Sequence, residues 1–357
     1  MASVKTWDVI IVGGGIIGLS LAIALRKRGA TVLVVERGEL GREASYAAGG
    51  MLVDCSAEIP APLQPLAVAS AGIYPEFAHA LELEAGRTVD LRDTGTIFIP
   101  PPGHVHERPG FATASLLPAP LGELEPALAD HKRPAFYLKE RSVDPRALTT
   151  AAAKTAKSRG VDFSSGDSVR AVDLANGRAV GVTTTKTSFS GSKVVNCAGC
   201  WSGQISPFPI PTRPVKGQML CLIMQPRSLL RHVVRTPDVY LIPRSDGRLL
   251  VGATLEEAGF DKRTDVATIQ RLHRAALDVM PRLKDAKILE DWAGLRPGTP
   301  DGLPILGGTT ISNYYVATGH FRDGILLAPI TAQIMADVIE GRNPAYDLNP
   351  LSPSRFA

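Results

Sequence analysis

The stretch from Val9 to Glu36 constrains the fold of this chain more strongly than any composition argument does. The run VIIV at residues 9–12 is typical of a short strand that is buried on both faces. GGGIIG at residues 13–18 follows and matches the pattern G-x-G-x-x-G. A helical pattern then covers residues 19–28, and a second strand is predicted over residues 31–35. Strand, glycine turn, helix and strand in this order are typical of a unit that binds a dinucleotide.

Each part of this unit has a mechanical reason. Gly13 permits the tight turn, Gly15 lets a pyrophosphate approach the backbone, and Gly18 lets the helix pack closely on the strand. The helix N-terminus offers N–H groups and a favourable dipole to phosphate. Glu36, about 20 residues further on, can accept hydrogen bonds from ribose hydroxyls, which disfavours NADP. The pattern leaves NAD and FAD open, and the alternative is glycine-rich packing without a ligand.

The segment after the second strand favours FAD. GREASYAAGGML at residues 41–52 is rich in small residues, so a long cofactor could lie against its backbone. Ser45 can donate a hydrogen bond to phosphate or ribityl oxygens. A simple nicotinamide enzyme has no need of such a run. The alternative interpretation is a flexible surface loop.

Length and composition indicate an ordinary soluble protein. The 357 residues suggest about two domains. Hydrophobic residues make up 45% and charged residues 21%, and the formal net charge is +4. No basic run is present, so electrostatics give no support to nucleic-acid binding.

The apolar stretch from Val9 to Leu25 is long enough to suggest a membrane span or a signal peptide. Asp8 precedes it, glycines interrupt it, and the basic residues 26–28 follow it rather than precede it. We therefore expect a soluble, cytoplasmic protein that makes no membrane contact.

Cysteine and histidine usage gives no metal site. The four cysteines are too few and too scattered for a disulfide scaffold. Cys197 and Cys200 have the spacing of a redox motif, but the apolar run before them predicts a buried strand end. His104 and His106 lie in a proline-rich stretch and are predicted to be loop residues rather than metal ligands.

Arg296 lies in an apolar setting, within WAGLRPGTPDGLPILG at residues 292–307. On a strand, Trp292, Gly294 and Arg296 would point to the same side. A guanidinium there needs a partner, because leaving it buried and unpaired costs several kcal/mol. That partner is either a carboxylate of the protein or the carboxylate of a bound molecule.

Five segments together resemble the D-amino-acid oxidase superfamily, and within it most closely the glycine oxidases of thiamine biosynthesis. They are GREASYAAGGML (41–52), NCAGCWSG (196–203), PVKGQ (214–218), WAGLRPGTPDGLPILG (292–307) and GHFRDGILLAP (319–329). The likeness runs in order along nearly the whole chain, and the last two segments are its most specific part. Sarcosine oxidases and D-amino-acid dehydrogenases belong to the same superfamily, so the segments indicate the chemistry better than the substrate.

The resemblance implies an α/β fold, with a discontinuous Rossmann-like FAD-binding domain and an inserted α+β substrate domain built on an antiparallel sheet. The domain boundaries that we predict are 1–82, 138–212 and 292–357 for the FAD-binding domain, and 83–137 and 213–291 for the substrate-binding domain. The implied cofactor is non-covalent FAD, since residues 319–329 hold no cysteine for a covalent link.

The local patterns agree with this fold. Strand runs at 239–243 and 249–253 flank the turn SDG at 245–247, which predicts a hairpin. Asn176-Gly177 predicts a second hairpin, between 169–174 and 179–184. A further strand is predicted at 95–99, whereas residues 100–135 are rich in proline and predicted to be loops over the substrate side.

The resemblance also implies which residues bind FAD. The glycine turn would contact the pyrophosphate, Glu36 and Arg37 the adenosine, and the small-residue run the ribityl chain and flavin. Residues 320–326 would present backbone N–H groups to the flavin and stabilise charge that develops on reduction. The implied cofactor residues are Gly13, Gly15, Ile16, Ile17, Gly18, Glu36, Arg37, Ala44, Ser45, Gly49, Gly50, Met51, Val169, His320, Phe321, Arg322, Asp323, Gly324, Ile325 and Leu326.

Three residues are implied on the substrate side. Arg296 would bind the substrate carboxylate through two parallel hydrogen bonds, Tyr240 would add a hydroxyl to the same carboxylate, and Arg322 would be a second arginine nearby. The alternatives are a domain-bridging ion pair for Arg296, aromatic packing on a half-buried strand for Tyr240, and an ion pair with Asp323 for Arg322.

The implied reaction is FAD-dependent oxidation of a small amino acid. A hydride passes from the α-carbon to flavin N5, the imine is hydrolysed to a keto acid and ammonia, and oxygen is reduced to hydrogen peroxide. The implied partners are a small amino acid and O2, and the implied assembly is a homo-oligomer, of which a tetramer is one form. The alternative is a D-amino-acid or secondary-amine dehydrogenase with another electron acceptor.

Departures from the family pattern leave the substrate open among glycine, sarcosine and small D-amino acids. Leu255 stands where glycine oxidases often have methionine, and Asp238 where some have histidine. AAGG at residues 47–50 has a glycine where family members often have alanine.

Overall fold

The computed structural model describes residues 5–54, 59–101, 117–128 and 133–356. These residues form two eight-stranded sheets and one two-stranded sheet. The helices are α1 (Ile16–Lys27), α2 (Ala44–Ala47), α3 (Gln64–Ala85), α4 (Leu121–Leu124), α5 (Pro145–Ser158), α6 (Val266–Val279) and α7 (Gly324–Ile339).

The first sheet is mostly parallel. Its strands are β1 (Thr6–Val12), β2 (Val32–Glu36), β8 (Asp162–Ser165), β9 (Val169–Ala175), β10 (Arg178–Thr184), β11 (Ser188–Asn196), β17 (Ile305–Gly308) and β18 (Tyr314–Thr318). The spatial order is β17-β18-β11-β1-β2-β8, and the β9–β10 hairpin joins at β11. The five strands from β18 to β8 are parallel, so three distant stretches of the chain build one layer.

Both faces of this sheet are buried, as the apolar run at 9–12 predicts. Val9 and Ile11 lie in the core that helices α1, α3, α5 and α7 form on one face. Ile10 and Val12 point the opposite way, into a second core with the β9–β10 hairpin. The alternation of side chains along a strand explains why adjacent apolar residues serve two different cores.

The second sheet is antiparallel apart from the pair β13–β4. Its strands are β4 (Thr96–Phe98), β5 (Leu117–Pro118), β6 (Phe136–Leu138), β12 (Arg213–Ile223), β13 (Val233–Arg235), β14 (Tyr240–Pro243), β15 (Arg248–Gly252) and β16 (Lys287–Gly298). The spatial order is β16-β12-β15-β14-β13-β4-β6-β5, and α6 packs on one face through Ile269 and Leu272. The two-stranded sheet pairs β3 (Met51–Leu52) with β7 (Arg141–Ser142).

The predicted α/β fold is confirmed, and so are the two hairpins, β14–β15 and β9–β10. The predicted domain boundary at residue 292 falls inside β16, which pairs with β12 over its whole length. The domain boundaries themselves stay a prediction.

One prediction is wrong in part. Residues 100–135 were expected to be loops, but residues 117–128 form β5, α4 and a turn of 3-10 helix. These elements form because Leu121, Leu124 and Leu128 pack against the core of the second sheet. His104, His106 and Cys55 lie outside the described residues. Within the described ranges, no helix has the length and apolar character needed to cross a membrane.

Candidate active site

The glycine turn after β1 brings helix α1 unusually close to the strand. Gly13 has a positive φ of 106°, and a Cβ atom there would lie 2.5 Å from the carbonyl oxygen of Cys197. A Cβ atom on Gly18 would lie 2.1 Å from the carbonyl oxygen of Gly13. Neither position has room for a side chain, so the turn presents bare backbone at the N-terminus of α1.

Ser45 lies at the same helix N-terminus. Its Oγ accepts a hydrogen bond from the N–H of Ile16 at 3.0 Å. The small-residue run therefore contacts the N-terminus of α1 directly, a contact that the sequence did not predict. The hydroxyl hydrogen of Ser45 can still be donated to a phosphate oxygen.

Glu36 closes β2 and is almost fully buried. Its Oε2 accepts a hydrogen bond from the Gly14 N–H and its Oε1 one from the Gly38 N–H, both at 2.8 Å. Burial raises the pKa of Glu36, and the two N–H groups partly offset this. The carboxylate therefore holds the glycine turn against the loop after β2, a structural task beyond the ribose contact that the sequence predicts. Each carboxylate oxygen keeps a second lone pair for such a contact.

A cavity of about 380 Å³ runs from this turn toward the N-terminus of α7. The predicted cofactor residues that line it are Gly13, Gly15, Ile16, Ile17, Glu36, Arg37, Ala44, Ser45, Val169, His320, Phe321, Arg322, Gly324 and Ile325. A cavity that is lined by a bare-backbone turn and by residues at the N-termini of two helices fits a dinucleotide.

Six predicted cofactor residues do not line this cavity: Gly18, Gly49, Gly50, Met51, Asp323 and Leu326. Four of them lie away from the cavity because they pack against backbone atoms or within a hydrophobic core. Gly18 faces the Gly13 carbonyl, and a Cβ atom on Gly50 would lie 2.0 Å from the Val143 carbonyl oxygen. Met51 packs in an apolar cluster of the second sheet, and Leu326 lies in the helix core of the first sheet.

The remaining two are placed differently. A Cβ atom on Gly49 would lie 2.8 Å from Ile242 Cδ1 and 3.5 Å from Tyr240 Cε2, so this glycine covers the β14 face of the second sheet. Asp323 directly precedes α7 and donates its backbone N–H to the His320 carbonyl at 2.8 Å. The Phe321 N–H donates to the Pro297 carbonyl at 3.1 Å. Two of the N–H groups expected to face a flavin are thus bound within the protein.

Several cavity residues were not singled out from the sequence. Trp201 is the most informative, since its ring stacks beneath the Arg37 guanidinium with 4.2 Å between the guanidinium carbon and the ring centre. Cys197 and Cys200 also line the cavity and are both buried, which confirms the prediction of a buried strand end. Burial raises the pKa of Cys200 to about 12, so its thiol stays protonated. The signal for Trp201 was its place in NCAGCWSG, directly after a strand of the nucleotide-binding sheet.

Arg296 lies on β16 opposite Val215, and its Nη1 donates to the carbonyl oxygens of Lys216 at 3.3 Å and Thr254 at 3.1 Å. No carboxylate of the described residues forms an ion pair with it. The domain-bridging ion pair, which was the alternative interpretation, is therefore absent from this part of the chain. Two main-chain carbonyls instead fix one edge of the guanidinium.

The Tyr240 hydroxyl interacts with Arg296 and lies within reach of the charge of Arg322. Burial raises the pKa of the Tyr240 hydroxyl, whereas a hydrogen bond with Arg296 and the charges of Arg296 and Arg322 lower it. The net rise keeps the phenol protonated at neutral pH. The charges of two guanidinium groups thus act on the Tyr240 hydroxyl, and the positive potential there suits a carboxylate. We refer to Arg296, Tyr240 and Arg322 as the three-residue cluster.

Two glycines make this arrangement possible. A Cβ atom on Gly217 would lie 2.3 Å from Arg296 Nη1, and one on Gly252 would lie 2.8 Å from Tyr240 Cε2. Both functional side chains therefore lie flat across neighbouring glycines of the sheet. Arg296 itself is flanked by Leu295 and Pro297, both of which line the cavity, so the three-residue cluster borders the nucleotide site.

His320 lies in the cavity wall and is buried. Its Nε2 lies 3.2 Å from Thr331 Oγ1, and burial lowers its pKa to about 3. The imidazole is therefore neutral at physiological pH. Within the described residues, no group of three or more potential metal ligands is present.

Comparison with known proteins identifies the family. Residues 8–338 match the family model of the FAD dependent oxidoreductases, abbreviated DAO. The chain is 36% identical over 360 residues to the bifunctional protein ThiO/ThiG of Synechocystis sp., with 98% of this chain and 54% of that protein covered. The chain thus spans about half the length of that relative.

Glycine oxidases match this chain over nearly the full length of both proteins. The glycine oxidase of Pseudomonas aeruginosa is 33% identical over 372 residues, covering 97% of this chain and 98% of that protein. The crystal structure of glycine oxidase from Geobacillus kaustophilus has a TM-score of 0.91 and 31% identity, covering 98% of this chain and 99% of that one. The bare-backbone turn, the helix N-terminus and the cavity fit FAD, and the chain belongs to the DAO family of FAD-dependent oxidoreductases.

Proposed function

We propose that this enzyme oxidises small amino acids at the α-carbon, producing an imine that water hydrolyses to a keto acid and ammonia, or a primary amine where the substrate nitrogen is substituted, while O2 is reduced to hydrogen peroxide. The observation that carries the proposal is Arg296, which pairs with no carboxylate of the described residues, is hydrogen-bonded to Tyr240 and lies between two residues that line the cofactor cavity, Leu295 and Pro297. The glycine oxidases among its relatives support it. A homo-oligomer and a preference among glycine, sarcosine and small D-amino acids stay predictions from the resemblance.

Arg296 would bind the carboxylate of the substrate. Lys216 and Thr254 hold its Nη1 through their carbonyl oxygens, so the edge formed by Nε and Nη2 is the one that we assign to the carboxylate. Two parallel hydrogen bonds fix both the position and the orientation of the substrate. The protonated Tyr240 hydroxyl would donate a further hydrogen bond to the same group.

The wall beside Arg296 suits an uncharged substituent. Met219, Ile242 and Leu250 are buried in one apolar cluster, and Met51, Tyr240, Ala253 and Trp292 pack against it. No charged residue belongs to this cluster. A substrate with a hydrogen or a methyl group on its α-carbon therefore fits there better than a substrate with a charged side chain.

These residues contribute to the reaction by positioning the substrate rather than by accepting a proton from it. Burial disfavours the charged imidazolium and lowers the pKa of His320 to about 3, so His320 is too weak a base to be a good proton acceptor. FAD, when bound, accepts the hydride equivalent and passes the electrons to oxygen. The protein therefore contributes mainly orientation of the α-carbon, which can supply a large part of a rate enhancement.

The proposal is tested by measuring peroxide in air together with the visible flavin spectrum, across glycine, sarcosine, D-alanine, D-proline and L-alanine. We expect peroxide with glycine, sarcosine or a small D-amino acid and none with L-alanine. Flavin bleaching without peroxide would replace the proposal with a dehydrogenase. No bleaching by any amino acid would refute amino-acid oxidation and leave Arg296 to some other carboxylate.

Gly217→Ala is expected to raise KM about tenfold or more, because the added methyl group displaces the Arg296 guanidinium and such overpacking costs about 1–3 kcal/mol. FAD content should not change. Steady-state kinetics and the flavin absorbance check both. Gly308→Ala is the control, since a Cβ atom on that strand glycine meets nothing closer than 3.8 Å. An unchanged KM in Gly217→Ala would show that the guanidinium position does not set substrate affinity.

A further inference from the structure

The loop between β15 and α6, residues 253–265, crosses from the second sheet to the cofactor cavity of the first. We propose that this segment, which we call the strap, retains FAD by holding two rim residues of the cavity, Trp201 and Glu43, in place. The strap follows β15 of the second sheet, which carries Arg296 and Tyr240, and is not connected directly to a strand of the nucleotide-binding sheet. Retention of the cofactor would then depend on a part of the chain outside the glycine-turn unit.

The first half of the strap is fastened to β12. The backbone N–H of Glu256 donates to the Lys216 carbonyl and the Lys216 N–H donates to the Glu256 carbonyl, both at 2.9 Å. Gln218 Nε2 donates to Glu256 Oε1 at 2.9 Å, and Gln218 Oε1 accepts from the Asp265 N–H at 2.7 Å. One glutamine side chain thus binds both ends of the strap and fixes its base on the sheet.

The second half of the strap reaches the cavity rim at Trp201. The Phe260 ring lies 5.5 Å from the Trp201 ring, centre to centre, with a tilt of 34° between the planes. The Arg37 guanidinium stacks on Trp201 as well, with 4.2 Å to the ring centre. Phe260 is 44% exposed, which is unusual for a phenylalanine. Among the described residues, the aromatic ring that it contacts is that of Trp201. Trp201 and Arg37 both line the cavity.

A second contact of the strap reaches the rim at Glu43. Lys262 Nζ lies 2.9 Å from Glu43 Oε2. Glu43 lines the cavity and directly precedes α2, whose N-terminal turn carries Ala44 and Ser45. Phe260 and Lys262 are two residues apart. This short piece of the strap therefore contacts both Trp201, in the turn after β11, and Glu43, in the loop after β2.

The direction of the effect follows from this geometry. Trp201, Arg37 and Glu43 border the part of the cavity nearest Glu36 and the glycine turn, and Phe260 and Lys262 restrict their motion. A bound cofactor cannot leave past these residues unless the rim opens. Removing the strap contacts should therefore accelerate release of FAD and leave the Arg296 site, which lies at the other end of the strap, unchanged.

The test measures FAD release from the holoenzyme by the rise of flavin fluorescence after dilution. We expect release to be about 10-fold faster in Phe260→Ala, since an aromatic pair is lost, and about 2-fold faster in Lys262→Ala, since a surface ion pair is lost. Phe260→Tyr should release FAD at the wild-type rate. The KM for the amino acid, measured with excess FAD, should be unchanged in all three variants.

The control is Arg263→Ala, in the same strap. Arg263 is 89% exposed and its described ion pair is with Asp261, within the strap itself. A second control exchanges the charges of the rim pair, Glu43→Lys with Lys262→Glu, which should restore slow release relative to Lys262→Glu alone. Wild-type release in Phe260→Ala and Lys262→Ala would overturn the proposal. Equally fast release in Arg263→Ala would also overturn it, because general loosening of the loop would then be the cause.

Discussion

Arg296→Ala is expected to lower kcat/KM by about two to four orders of magnitude while the protein stays folded and retains its FAD. The physical reason is the loss of a charge-assisted ligand of the substrate carboxylate, which is worth about 3–5 kcal/mol. The fold should survive, because the guanidinium binds two main-chain carbonyls and no carboxylate of the described residues. Steady-state kinetics and the ratio of flavin to protein absorbance measure the two effects separately.

Arg296→Lys refines this experiment. A lysine keeps the positive charge but loses the planar fork, so it should recover only part of the lost kcat/KM. Arg263→Ala serves as the matched control, because it removes an exposed arginine without touching the site. Kinetics close to wild type in Arg296→Ala would mean that the carboxylate is bound elsewhere, and Arg322 would be the next residue to replace.

Gly18→Ala is expected to yield protein with less than about a tenth of the normal FAD, either folded but colourless or insoluble. The added methyl group would lie 2.1 Å from the Gly13 carbonyl oxygen, and a backbone atom cannot move aside as a flexible side chain can. Helix α1 must therefore shift away from β1, and the turn that receives the pyrophosphate shifts with it. The flavin absorbance of the purified protein checks the result.

Gly72→Ala is the matched control for Gly18→Ala. Gly72 also lies within a helix, α3, but a Cβ atom there meets nothing within 4 Å. Alanine is the better helix former by about 1 kcal/mol, so this variant should keep its FAD and melt at the same or a higher temperature. Normal FAD content in Gly18→Ala would show that the close approach of helix and strand is not needed for binding.

The features that the sequence predicted well are local ones. The glycine turn, the two hairpins and the common face of Trp292, Gly294 and Arg296 follow from spacing within a few residues, and the structure has all of them. Trp292 Nε1 donates to the Ala47 carbonyl at 3.1 Å, and a Cβ atom on Gly294 would lie 2.3 Å from Ala47 Cβ. Side-chain alternation alone was enough to predict that these residues share one face.

What the sequence did not predict depends on contacts between distant parts of the chain. The carbonyls that hold Arg296 belong to residues 80 and 42 positions away, and carbonyl groups are present at every residue and so leave no pattern. Glu36 was expected at a ribose, and its bonds to Gly14 and Gly38 depend on how the turn folds back. Short elements at residues 117–128 have too few residues for a periodicity to be visible.

The parallel sheet assembled from three distant stretches has a consequence for synthesis on the ribosome. The nucleotide-binding unit at residues 9–36 is made before β11 and β18, yet β1 pairs with β11, and β11 in turn pairs with β18. Helix α1 packs against α7, which includes residues that line the cavity. A nascent chain that ends before residue 318 therefore has an exposed sheet edge and an unfinished cavity wall. Cofactor capture must therefore wait until the first turn of α7, which carries the cavity residues Gly324 and Ile325, has been translated.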